Sequence, residues 1–130
     1  MRTKDMCGVG RGGFTLVEIM IVVAIIGLLA ALVIPNAMRA RERSCIEVIR
    51  SNLRIIEDSK GVWATENRAA SGTVVDQLDL EPYLKGEVFP EPVAGEVYNV
   101  NPVGERSSAT LMQALVDLPV GTELTLEFEP

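Results

Sequence analysis

The sequence predicts an α+β protein: one long N-terminal helix, membrane-spanning in its first half, whose second half packs on a small antiparallel β-sheet head. Three observations predict it. Residues 14–34 form one apolar block, FTLVEIMIVVAIIGLLAALVI, with a single charge at Glu18. Beyond it, Ile46, Ile49, Leu53, Ile56, Lys60 and Trp63 follow the 3-4-3-4-3 spacing of a helical face, interrupted only by Lys60. Residues 69–130 then change character, to short alternating runs punctuated by Pro90, Pro92, Gly95, Pro102 and Gly104.

The apolar block is measured by its length. The uncharged stretch 19–34 reaches ~24 Å as a helix, short of the ~30 Å hydrocarbon core, whereas 14–34 reaches roughly 31 Å. A full crossing therefore includes Glu18. A carboxylate at membrane depth costs on the order of 2.5–3.5 kcal/mol, so it needs either an interfacial position or a cationic partner. Arg2, Lys4 and Arg11 make the preceding segment basic, as a secretory signal requires. The block is longer than a signal core, however, carries a glutamate, and is followed by no small-x-small cleavage site. A plain single-pass anchor stays open at this point.

Composition removes several chemistries. The chain of 130 residues has no histidine, the commonest general base and metal ligand. Cys7 and Cys45, the two cysteines, flank the apolar block and support neither a zinc site nor a disulfide framework. No nucleophile elbow or phosphate-binding glycine loop is present, so an anchored enzyme has nothing in its favour and no cofactor is implied. Asp76, Asp79 and Glu81 do not have the spacing of a calcium loop and read as a solvated acidic turn. Charge is uneven: residues 36–68 carry seven basic and five acidic side chains, residues 69–130 two basic and eleven acidic. An acidic head repels nucleic-acid phosphate, and no nucleic-acid binding is expected.

Gly12-Gly13-Phe14-Thr15-Leu16-Val17-Glu18, joined to an apolar run that ends at Pro35, resembles the prepilin cleavage and methylation motif of type IV pilins and type II secretion pseudopilins. The resemblance covers residues 12 to about 36 and implies a pilin-like fold. It implies a leader 1–13, a transmembrane and assembly half 14–35, a soluble amphipathic half 36–68 and a head 69–130. Cleavage between Gly13 and Phe14 by a membrane prepilin peptidase is implied, then N-methylation of Phe14. Glycines without Cβ lie extended in a protease cleft without clashes. The cut removes Cys7 and leaves Cys45, read either as a buried free thiol or as an intersubunit disulfide.

The same resemblance assigns the filament-assembly roles. The new amine on Phe14 stays cationic, and Glu18, four residues on, complements the helix dipole. In the family the glutamate neutralises the amine of a neighbouring subunit, which fixes register. Gly27 and Pro35 bracket a stretch implied to kink or melt on assembly, because Pro35 lacks an N–H and crowds the Ala31 carbonyl. Implied partners are further copies and other pilins, the prepilin peptidase, an inner-membrane assembly platform and lipid. The leader is placed in the cytoplasm and the head in the periplasm or on the surface by the motif, since the flanking charges barely discriminate.

In the head, Gln77–Lys85 reads as a short helix or turn, Val88–Phe89 and Glu96–Val100 as strands, Ser108–Leu118 as a short helix and Thr122–Phe128 as a strand. A looser likeness to small pilins runs through Asn52, Lys60, Trp63, Tyr83 and Tyr98. Many of those close a C-terminal loop with a disulfide. Here Glu91 and Ser107 stand where the cysteines would fall, and the terminal strand is a candidate substitute for the missing staple. The alternative to a filament subunit is an anchored binding module that never polymerises, which leaves Gly13-Phe14 joined to Glu18 unexplained.

Overall fold

The computed structural model describes residues 12–126. Helix α1 runs Leu16–Glu66 and continues unbroken through Pro35. The chain divides into two compact units, with the boundary between Ala37 and Met38.

Among the described residues of the first unit, those from Leu16 onward form a single helical segment whose side chains point outward. From Leu16 to Ile34 its large apolar residues stand exposed, Leu16 at 78% and Leu32 at 70%. Water does not tolerate a continuous apolar surface of this extent without a partner or a bilayer. The segment is long and apolar enough to cross a membrane. A membrane anchor is the role these properties define.

The second unit is the α+β head. After α1 the chain forms α2, Gln77–Leu80, and a 3-10 turn, Glu81–Tyr83. Three short strands follow: β1 Val97–Asn99, β2 Ser108–Thr110 and β3 Glu123–Leu124. They make an antiparallel meander in the order β1-β2-β3. Tyr98 faces Ala109, and Ala109 faces Leu124, and all three are buried. One residue along, Val97, Thr110 and Glu123 lie on the other face, as strand alternation requires.

The core joins the α1 stripe to that sheet. Ile49, Leu53 and Ile56 are fully buried beside Leu80, Ala109, Leu111 and Leu124. Each such aliphatic side chain contributes roughly 1.5–3 kcal/mol by leaving water. Trp63 and Phe89 pack against this cluster, and Phe89 meets Tyr98 edge to face at 6.1 Å and 68°.

Two head elements differ from the sequence expectation. Ser108–Leu118 is not a helix. Ser108–Thr110 is the middle strand, and the chain then turns tightly at Leu115–Leu118, which exchange backbone bonds of 3.0 and 2.8 Å. Leu111, Leu115 and Leu118 have helical 4-3 spacing, and Leu111 and Leu115 are buried, but such spacing over so few residues serves a strand and turn equally well. Val88–Phe89 is not a strand. It follows Gly86 and Glu87, both at positive φ (86° and 55°), which turn the chain out of extended pairing. The Thr122–Phe128 strand is present as Glu123–Leu124, and its end lies outside the described residues.

Candidate functional site: the helix start and the charges that hold the head

Gly12 to Thr15 precede α1 with no regular structure and are exposed. A Cβ built on Gly12 or Gly13 meets nothing, so the segment is open on all sides. Thr15 starts the helix: its Oγ1 accepts from the backbone N–H of Glu18 at 3.2 Å. This is half of a capping box, with Glu18 at N3 in the first turn beside the positive helix end. The Thr-x-x-Glu spacing is the signal of this cap in the sequence. Phe14 is 79% exposed and lies four residues before Glu18. Gly27 sits mid-helix in open space, and Pro35 lies within α1.

The head is held by side chains that reach from α1 into its loops. Lys60, 2% exposed, donates from Nζ to the Asn101 and Glu105 carbonyls and to Ser107 Oγ. Glu57 Oε2 lies 2.9 Å from the same ammonium and accepts from the Ser107 N–H and hydroxyl, each at 3.0 Å. One ion pair thus gathers the β1–β2 loop onto the helix. The interruption in the apolar stripe is therefore a core residue. Burial pushes the Glu57 carboxyl up, but the Ser107 and Lys60 donors outweigh it and hold it below the ordinary carboxylate range.

A second carboxylate, this one buried, organises the approach to β1. Glu96, 1% exposed, accepts from the Val93 and Ala94 N–H groups and from the Tyr98 hydroxyl at 2.6 Å. Asn52 of α1 donates to that hydroxyl at 2.9 Å. Burial alone would raise the Glu96 pKa, but Tyr98 and these amides bring it below the ordinary value. Burial and then Glu96 push the Tyr98 phenol up. A third carboxylate, Glu42, accepts from Val116 N–H at 2.8 Å. Val116 stands at φ 53°, an uncommon conformation for a β-branched residue.

Cys45 is a free, half-buried thiol against the core. Asp79 Oδ2 accepts from the Asp76 N–H at 3.1 Å, so this pair starts α2. Among the described residues no group of three His, Cys, Asp or Glu side chains could hold a metal ion.

A single helix, capped and apolar at its start and carrying an α+β head on its second half, is the architecture of a membrane-anchored filament subunit. The family described as "Prokaryotic N-terminal methylation motif" matches residues 10–34. The type II secretion system core protein G of Escherichia coli is 32% identical, over 95% of this chain and 91% of that protein. The protein of the same name from Pseudomonas aeruginosa is 36% identical over 58% of this chain and 51% of its own length. The type IV major pilin protein PilA of Myxococcus xanthus is 52% identical, over 42% of this chain and 24% of that pilin. No solved structure matches. The chain belongs to the family of type IV pilins and type II secretion pseudopilins, structural subunits of filaments.

Proposed function

We propose that this chain is a prepilin-type precursor that is cut between Gly13 and Phe14, N-methylated on Phe14 and assembled into a helical filament from the inner membrane. The observation that carries the reading is the helix start. A carboxylate sits in the first turn of an otherwise uncharged apolar segment, directly after Gly-Gly-Phe-Thr. Once the leader 1–13 is gone, the amine of one copy is the cation that Glu18 of another lacks. Their pairing removes two charges from apolar surroundings together and sets the axial register. The Thr15 cap keeps the first turn formed while the new amine is exposed.

In this reading segment 14–35 is both anchor and filament core, 36–68 the soluble helical half and 69–130 the head. The leader faces the cytoplasm and the head the periplasm or the cell surface. Gly27 and Pro35 supply the weak backbone that lets the segment between them loosen on packing. A prepilin peptidase, an assembly platform and other pilins are the partners, and the subunit is structural rather than catalytic.

Mass spectrometry of the protein from its native host tests the reading. A mature N-terminus at methylated Phe14 is expected, with the protein recovered in sheared filaments. An intact Met1, or absence from every filament, would point to an anchored module that does not polymerise.

A further inference from the structure

The head unit separates its charges. On α1, Arg39 and Arg43 are four residues apart, Arg50 and Arg54 are four apart, and seven residues divide the pairs. That spacing puts all four within about 60° of one helix face, turned about 90° from the Ile46–Ile56 stripe. Arg50 is taken by Glu47 at 3.1 Å. Arg39, Arg43 and Arg54 are exposed, and none pairs with a carboxylate among the described residues. Asp117 shares a shallow groove with Arg43 but stands beyond ion-pair distance.

The opposite charge lies on the segment between α1 and β1. Within residues 76–91, Asp76, Asp79, Glu81, Glu87 and Glu91 stand against one cation in the sequence, Lys85. Four of the five are exposed, and Glu81 is half-buried. None pairs with a cation among the described residues. Exposed charges of both signs are thus kept apart within one copy, on surfaces that a second copy could bring together.

We propose that the arginine stripe Arg39–Arg43–Arg54 docks the acidic segment 76–91 of a second copy of this chain. The inference rests on the filament reading and deepens it by naming a contact between heads. Charge complementarity selects the occupant, and a filament supplies one acidic segment for every stripe. Anionic lipid is the competing occupant. Arg54 lies fifteen residues, ~22 Å of helix, beyond Arg39, whereas a headgroup layer is roughly 5–8 Å deep. A lipid surface would engage one end of the stripe, and a protein partner engages its whole length.

The test uses the full chain in its native host. Arg54→Glu is expected to cut the yield of sheared filaments about tenfold at unchanged membrane level of the protein, and Glu87→Lys/Glu91→Lys to restore part of it. In filaments from Arg54→Lys, grown from mixed light and heavy nitrogen, a zero-length carbodiimide should link that position to peptide 76–91 of a different copy. Wild-type yield from Arg54→Glu, or links confined to one copy, would overturn the proposal. So would a loss seen only with Arg39→Glu and matched by weaker binding to phosphatidylglycerol vesicles, which would assign the stripe to lipid. If the wild-type chain enters no filament, the filament reading fails first and this contact with it.

Discussion

Replacing Lys60 with methionine should be among the most damaging single changes in the head. Methionine keeps most of the apolar stem and removes the ammonium. Three acceptors, the Asn101 and Glu105 carbonyls and Ser107 Oγ, lose their donor, and the Glu57 carboxylate loses its counter-charge. Removing one partner of a buried pair costs about 3–5 kcal/mol. The Lys60 side chain is 3% exposed but that of Glu57 is 29% exposed, so water reaches half of the pair. The lower end, about 3 kcal/mol, is expected, and for a domain of this size it lowers Tm by roughly 12–24 °C. Trp63, the only tryptophan, packs against the head core and reports unfolding of the detergent-solubilised full chain. Glu57→Gln/Lys60→Met should recover part of the loss, because no unpaired charge is left behind. A loss below about 1 kcal/mol for Lys60→Met, or a double variant no better than the single, would refute the reasoning.

Glu18→Ala should insert into membrane at the wild-type level yet give no filaments, and normal filaments would remove its assembly role. Arg68→Gly should stabilise the head by about 1 kcal/mol in the tryptophan unfolding assay, because Arg68 holds φ 51° just past α1, while Ala69 N–H bonds back to the Ala64 carbonyl at 2.9 Å, a helix end that glycine favours. Acid should unfold the head by releasing Glu57 and Glu96. Both carboxyls are held below the ordinary 4.5 in the folded state, so their stabilisation is complete above that value and is lost as pH falls through the lowered folded values. A pH series of Tm should be flat above about 5 and fall below it, with a weaker fall for Glu96→Gln.

The long helix was legible because two independent signals agree. The apolar block at 14–34 and the 3-4 stripe from Ile46 to Trp63 fall on one continuous run with no glycine or proline beyond Gly27, Pro35 and Gly61. Helix α1, Leu16–Glu66, takes in both signals. The motif at Gly13, Phe14 and Glu18 was legible as a pattern, because its chemistry is local. The head was legible only in parts. Gln77–Lys85 announced itself by its acids and by Gly86, and β1 by alternation around Tyr98. Ser108–Leu118 was not, because strand β2 is three residues long and owes its conformation to pairing on both edges rather than to its own propensity. Lys60 and Glu96 escaped for a related reason. A charged residue reads as solvent-facing until the carbonyls or amides that surround it are known, and those come from loops over forty residues away for Lys60.

The ammonium of Lys60 gives the head an organising charge that travels with the polypeptide. Loops gathered by a diffusible ion tighten and slacken with the composition of the medium, and a chelator can empty them. Here the concentration of the gathering charge is fixed by a covalent tether. The β1–β2 loop can therefore set as soon as the helix docks and keep its form in dilute or ion-poor surroundings alike.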